Sequence, residues 1–392
     1  MTIESNTGEQ RKRKLRLGMV GGGQGAFIGS VHRIAARLDD RYELVAGALA
    51  SEPTRAHASA AELGIDPNRS YDSYASMAVA ESALEEGVEV VAIVTPNHVH
   101  FDAARVFLEA GIHVICDKPL TTNLDDAVTL ANLSADNNLI CAVTYNYTGY
   151  PMIRQAQSMV ADGELGKIRV VQVEYPQDWL TQDLESTGQK QAEWRTDPQR
   201  AGSGGCIGDI GTHAYQLACY VTGLELDELC ADLSTFVDGR KLDDNVQIMM
   251  RFSGGVRGML WASQVAPGNE NGLRLRVYGS QGGIEWEQEH PNHMRYTPFG
   301  EVTQIITRNG SGANEQANRI SRIPAGHPEG YLEGFANIYS EVANALEAIK
   351  DGETVDQAVA FPTVNDGVKG VAFIDAAVSS SEKGAVWVKP SK

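Results

Sequence analysis

The 392-residue chain has few cysteines: Cys116, Cys141, Cys206, Cys219 and Cys230. None stands in a C-x-x-C pair or a His-rich cluster, so no structural zinc and no disulfide framework is expected, and a reducing, cytoplasmic compartment is. Long apolar runs are missing too. No stretch reaches the roughly 20 residues that a helix needs to cross a bilayer. The N-terminus, Met1-Thr2-Ile3-Glu4-Ser5-Asn6-Thr7, has no apolar signal region. Positive charge is scarce: 33 Lys and Arg stand against 51 Asp and Glu, a net charge of −18. That balance argues against a nucleic-acid or anionic-membrane binder. Any ligand phosphate must be held locally, by backbone N–H groups, a helix N-terminus or a few placed cations. The short basic run Arg11-Lys12-Arg13-Lys14 reads as the end of a solvated, flexible tail over 1–14. Repeats and low-complexity segments are absent.

What is present is a strict alternation of strand and helix patterns over residues 15–146. Apolar strands are expected at 15–20, 42–49, 90–94, 113–116 and 139–144. Helical periods are expected at 26–38, 52–63, 101–110 and 125–137. The run Val90-Val91-Ala92-Ile93-Val94 is continuously apolar, as a parallel strand covered on both faces should be. The pattern predicts an α/β fold with a doubly wound parallel sheet of the Rossmann type.

Between the first strand and first helix, Gly21-Gly22-Gly23-Gln24-Gly25-Ala26 contains G-x-G-x-x-A, followed by Phe27 and Ile28. In this position the glycines allow a tight turn and a close backbone approach to a pyrophosphate at the helix N-terminus. NAD or NADP is therefore the expected cofactor. The second strand ends in Ala50 and Ser51, where an acid would often accept from the ribose hydroxyls. Without that acid, Ser51 and Arg55 could hold a 2′-phosphate. Alternatively, Arg55 is an exposed helix residue and Glu52 covers the ribose.

The pattern changes after residue 146. A second domain over 147–392 is expected to be α+β with a large open mixed or antiparallel sheet. It has strand patterns at 168–175, 229–237, 245–252, 256–264, 273–279 and 283–287, helices at 150–162, 330–349 and 365–381, and a short strand at 386–388. The segment 176–208 has little periodicity but holds Trp179, Trp194 and Arg195. Long irregular segments inside compact domains are often functional.

Two short motifs carry the chemistry. Lys118 follows the apolar run Val114-Ile115-Cys116 and sits between Asp117 and Pro119. Gly208-Asp209-Ile210-Gly211-Thr212-His213 places Asp209 and His213 four residues apart. On a helix beginning at Asp209 these two would share one face near its N-terminus. A base for a hydroxyl proton, an orienting carboxylate and a cation for a developing alkoxide are what hydride transfer from a secondary alcohol requires. His213 is the candidate base, Asp209 orients it or binds an adjacent hydroxyl, and Lys118 stabilises the oxygen; Lys118 and His213 could exchange roles. Thr95, Pro96, Asn97 and His100, at the end of the third strand, are expected to line the nicotinamide end. Asp117 and Asn146 are further cofactor candidates. Tyr147, Trp194 and Arg195 are substrate candidates.

With these residues in hand, the chain resembles the Gfo/Idh/MocA oxidoreductases, the family of glucose–fructose oxidoreductase and inositol dehydrogenase. The resemblance rests on the glycine loop, Thr95-Pro96-Asn97 with His100, Asp117-Lys118-Pro119, Asp209-x-x-x-His213 and Tyr278-Gly279-Ser280-x-Gly282-Gly283, in family order. It implies NAD(P)-linked chemistry on a sugar, glycoside or cyclitol. It also implies a homo-oligomer, a dimer or tetramer, built through the C-terminal sheet. Two residues depart from the family pattern: Asp117 stands for the usual Glu and Ala50 for the common acid. Two other readings remain open, a redox-assisted glycoside cleavage through transient C3 oxidation and a non-catalytic NAD(P)-binding sensor. The phrase Gly326-His327-Pro328-Glu329-Gly330-Tyr331 marks a large, mainly bacterial branch.

Overall fold

The protein's structure, a computed structural model, describes residues 13–391. The N-terminal part runs β1 (Leu15–Gly21), α1 (Phe27–Leu38), β2 (Tyr42–Ala48), α2 (Pro53–Glu62), α3 (Tyr74–Ser82), β3 (Val90–Val94), α4 (His100–Glu109), β4 (His113–Cys116), α5 (Leu124–Asp136) and β5 (Cys141–Val143). Its five strands pair in parallel in the order β2-β1-β3-β4-β5. The strand order reverses between β1 and β3, the switch point at which such sheets bind ligands beyond their carboxyl ends. Every residue of β3 is buried, which accounts for its unbroken apolar sequence. Helix starts follow local capping: Glu52 accepts from Thr54 and Arg55 N–H groups, and Asn123 from Asp126 N–H.

The second part runs α6 (Pro151–Ala161), β6 (Ile168–Pro176), α7 (Lys190–Arg195), α8 (Pro198–Ala201), α9 (Thr212–Thr222), β7 (Leu226–Ser234), β8 (Asn245–Phe252), β9 (Arg257–Ser263), β10 (Arg274–Gly279), β11 (Gly282–Glu287), β12 (His293–Pro298), β13 (Gln304–Thr307), α10 (Glu315–Arg319), α11 (Tyr331–Lys350) and α12 (Val364–Glu382). The eight strands form one mixed sheet, β13-β12-β11-β10-β6-β9-β8-β7. All neighbours are antiparallel except β6 and β9. Because β6 and β9 are parallel, their carboxyl ends reach the same edge of the sheet, next to the first sheet. Alternating burial along β8 and β9 gives one face packed on α6, α9 and α12 and one open face carrying Gln247, Met249 and Met259.

Several boundaries differ from the sequence pattern. Helix α3 and strands β12 and β13 were not legible, and β7 starts three residues earlier than its apolar pattern. The strand expected at 386–388 is a single bridge from Val388 to Leu229. The segment 176–208 contains two short helices, α7 and α8. Residues 1–12 of the expected tail lie outside the described residues. Its last two residues are engaged: Arg13 donates twice to Glu89, and Lys14 pairs with Asp40.

Helices α11 and α12 return to the first sheet. Phe335, Ile338, Tyr339 and Val342 of α11 share a core with Val31, Ala35 and Val90. The Tyr42 hydroxyl donates to the Tyr339 carbonyl at 2.7 Å, and the Tyr339 hydroxyl pairs with His32 Nδ1 at 2.8 Å. Asn337 Nδ2 donates to Gly149 O at 2.6 Å. Tyr339→Ala is expected to lower stability by about 3–5 kcal/mol. A fall in the urea midpoint checks it; an unchanged midpoint contradicts it.

Candidate active site between the two sheets

The loops at the carboxyl ends of β1, β3 and β4 face the ends of β6 and β9 across a cavity of about 1750 Å³. Strand β4 delivers Asp117 and Lys118 to its wall. Asp117 Oδ1 accepts from Thr144 Oγ1 (2.7 Å) and from the Lys118 N–H (3.1 Å), which fixes the start of the loop. Lys118 Nζ then crosses to the second domain. It donates to Asp209 Oδ1 at 2.9 Å and to the Asp209 carbonyl at 2.6 Å.

Asp209 does not begin an ordinary helix, as the sequence pattern suggested. Residues Ile207–Gly211 form a π-helical turn, and the regular helix α9 starts at Thr212. Such turns are frequent at functional sites because they re-aim a local group. Here the turn presents both a carboxylate oxygen and a carbonyl to one lysine. The other carboxylate oxygen accepts from Gln264 Nε2 at 2.8 Å. Arg195 Nε lies 3.3 Å from it, outside hydrogen-bond alignment. Burial alone would raise the Asp209 carboxyl, but Lys118 and Arg195 outweigh it and hold the group well below the usual carboxylate range.

His213 is buried and lies edge-on to Tyr145, Tyr147 and Tyr175 at centroid distances of 5.7, 5.0 and 6.4 Å. Burial, then the nearby Lys118 charge, pushes its pKa well below the ordinary histidine value, against a smaller opposing effect of Asp209. The imidazole is therefore neutral near pH 7, and its Nδ1 is buried without a partner. The Tyr145 hydroxyl pairs with Thr212 Oγ1 at 3.0 Å, and the other two tyrosines belong to a satisfied network. Tyr147 and Tyr175 share a short hydroxyl–hydroxyl bond, Tyr175 donates to Asn271 Oδ1 (2.7 Å), and Asn271 donates to Gln288 (2.7 Å).

The other end of the cavity suits a dinucleotide. Gly21 and Gly22 take positive φ (78° and 73°). A Cβ on Gly23 would approach Ser59 Oγ to 2.6 Å and the Leu49 carbonyl to 2.7 Å. The N-cap of α1, Ala26, supplies no side-chain acceptor, so the first N–H groups of that helix are open to a pyrophosphate. Thr95 Oγ1 and Asn146 Nδ2, both buried, lack partners and border the same space. These orphaned groups and the glycine cradle fit a nicotinamide dinucleotide.

Of the expected site residues, Gly21, Gly23, Gln24, Ala26, Phe27, Ile28, Ser51, Arg55, Thr95, Pro96, Asn97, Asp117, Lys118, Asn146, Tyr147, Trp194, Arg195, Asp209 and His213 border the cavity. Two do not. Gly25 sits outside its wall with φ 76°. His100 is fully buried behind the loop, its ring nitrogens on the carbonyls of Pro119 (2.8 Å) and Thr95 (2.9 Å), so it braces the loop and does not line the cavity. His98 also borders the cavity. Arg195 lies over the Trp194 ring at 4.2 Å. Asn97 Nδ2 donates to Ala201 O at 2.9 Å, tying the two sides together. Sequence reasoning missed Gln264, Asn271, Gln288 and Tyr331. Gln264 could have been found as the residue just past a strand end. Tyr331, the last residue of the Gly326–Tyr331 phrase, borders the cavity with Phe335.

Residues 15–145 match the oxidoreductase family model with an NAD-binding Rossmann fold, and residues 153–285 match the Gfo/Idh/MocA C-terminal domain. An oxidoreductase structure from Sinorhizobium meliloti is 55% identical, with a TM-score of 0.89, covering 96% of this chain and 100% of that one. An inositol dehydrogenase homolog from Azotobacter vinelandii, complexed with NADH and myo-inositol, is 36% identical with a TM-score of 0.91, covering 96% and 98%. Levoglucosan dehydrogenase of Pseudarthrobacter phenanthrenivorans is 28% identical over 96% of this chain and 98% of that protein. A Rossmann half with an open glycine cradle, joined to an eight-stranded mixed-sheet half, is thus accompanied by full-length sequence kinship: the chain belongs to the Gfo/Idh/MocA family of NAD-binding oxidoreductases.

Proposed function

We propose that the protein exchanges a hydride between a secondary hydroxyl of a cyclitol, sugar or glycoside and a nicotinamide cofactor. The observation that carries this reading is the Lys118 ammonium held on Asp209 beside a buried neutral His213, on the wall of the cavity that also holds the dinucleotide cradle. Gly21, Gly23, Thr95 and Asn146 would hold the cofactor, which supplies the hydride acceptor when bound. Lys118 binds the reacting oxygen and stabilises its developing charge. His213 takes the hydroxyl proton. Asp209 keeps Lys118 aimed, through its carboxylate and its carbonyl. Tyr147, Trp194 and Arg195 face the remaining hydroxyls and exclude water. The relatives named for inositol and levoglucosan support this substrate class.

The reading also extends to cofactor choice. Ala50, Ser51 and Arg55 border the cavity, whereas Glu52 spends its carboxylate on the N-terminus of α2. The Arg55 side chain makes no hydrogen bond among the described residues. This supports acceptance of a 2′-phosphate, so NADP as well as NAD.

Screening cyclitols, hexoses, anhydrosugars and glycosides for accumulation of reduced cofactor tests the activity. Net accumulation supports the dehydrogenase; product formed on catalytic cofactor alone would favour elimination. Lys118→Met is expected to lower kcat by about 10²–10³-fold, and His213→Ala by about 10²–10⁴-fold. NADH binding should persist in both, and near-normal turnover in either removes that residue from the mechanism. Protonation of His213 on acidification removes the base, so kcat/KM should stay flat on the acid side until well below pH ~6.5. A limb at or above that value contradicts a neutral buried base. Arg55→Ala should weaken NADPH binding about tenfold or more while leaving NADH binding unchanged; equal effects on both cofactors contradict the phosphate role.

A further inference from the structure

The turn that carries Asp209 has little regular structure in front of it. It follows the glycine run 202–205, and the first full helical turn of α9 comes only after it. What fixes it is one residue on the approach to β8. Asp243 is buried. Its Oδ1 accepts from Gly205 N–H at 2.6 Å and its Oδ2 from Ile207 N–H at 2.8 Å. Its backbone carbonyl accepts from Cys206 N–H at 2.8 Å. Three successive N–H groups therefore end on a single residue.

A buried carboxylate is costly unless it is paired or well hydrogen-bonded. No cation pairs with Asp243 among the described residues. The nearest guanidinium in sequence, Arg240, is committed to Asp244 (3.1 Å) and Glu185 (2.8 Å). Burial pushes the Asp243 carboxyl up to about 6. Its compensation comes from the N–H groups of the approach loop.

The restraint passes directly to the reaction centre. The Gly205 carbonyl accepts from Asp209 N–H at 2.9 Å. The next residue along, Asp244, accepts Gln264 N–H on its carbonyl at 2.8 Å, and Gln264 Nε2 holds Asp209 Oδ2. Asp209 is thus fixed through its backbone by Asp243 and through its side chain by way of Asp244. We propose that Asp243 is a positioning residue of this site: it sets the Gly205–Ile207 backbone so that Asp209 can hold Lys118. The inference rests on the reading of Lys118 and Asp209 as reaction-centre residues, but its test reads Lys118 itself and stands apart from which alcohol is oxidised.

The experiment measures reductive methylation of Lys118 in the full-length protein, followed by peptide mass spectrometry. Asp243→Asn keeps the size of the side chain but turns an amide nitrogen toward a backbone N–H. Lys118 modification is expected to rise about tenfold, toward the rate in Asp209→Asn, with NADH affinity retained. In the double variant it should rise no further, because both changes release the same contact. Gly205→Ala tests the clamp from the other side: its added Cβ would meet the Asp243 carbonyl and come within 2.8 Å of Leu242 Cβ. It should give the same signature with the carboxylate intact, and it carries the test if Asp243→Asn does not fold. In the unmodified protein the amides of 205–207 should exchange slowly. Unchanged Lys118 reactivity in the variants, a full additional rise on the Asp209→Asn background, or fast exchange at 205–207 would overturn the proposal.

Discussion

The Lys118–Asp209 contact joins residues ninety-one apart in sequence, one in each domain, and the candidate site depends on it. An ammonium crossing from the end of β4 meets a carboxylate on a π-turn of the other domain. Neither domain contains the site alone. The Rossmann half supplies the cradle and the lysine, and the mixed-sheet half supplies Asp209, His213 and the tyrosine network. The parallel pairing of β6 with β9 brings Tyr175 and Gln264 to the same edge, so that Gln264 can occupy the second oxygen of Asp209. The return of α11 and α12 to the first sheet holds the two halves at this distance.

The electrostatics of the site follow from burial and from the two cations, Lys118 and Arg195, beside Asp209. Asp209 stays ionised because two cations sit beside it, despite its burial. His213 stays neutral because it is buried and near one of those cations. The two groups are thus driven in opposite senses, one held charged and the other neutral. His100 plays a different part from the one its position suggested. With both ring nitrogens on backbone carbonyls, it is a brace beneath the Thr95 and Pro119 loops.

Much of this was legible in the sequence. The parallel sheet was visible because buried strands such as β3 have no polar alternation, and the glycine loop lay where a dinucleotide should bind. Lys118, Asp209 and His213 could be picked out by residue type and order. The rest could not be read, for physical reasons. The π-turn at 207–211 has no periodic signature, since four of its five residues are glycine or isoleucine. Strands β12 and β13 are short and partly exposed, so they lack an apolar run. Asn271 and Tyr331 come from a loop and a distant helix, and only the tertiary fold brings them to one cavity, as it brings Gln264 onto Asp209. Asp243 has no signature of its own in the sequence, because only the fold brings its two oxygens to the N–H groups of Gly205 and Ile207.

The most direct test of the central claim follows the hydride itself. The protein would be incubated with oxidised cofactor and carbon-deuterated cyclitols, hexoses and anhydrosugars, and the reduced cofactor weighed by mass spectrometry. The account predicts that the reduced nicotinamide accumulates and gains one deuterium with at least one of these alcohols, and that Lys118→Met abolishes the transfer. Product formation without deuterium in the released cofactor, or undiminished transfer in Lys118→Met, would contradict it.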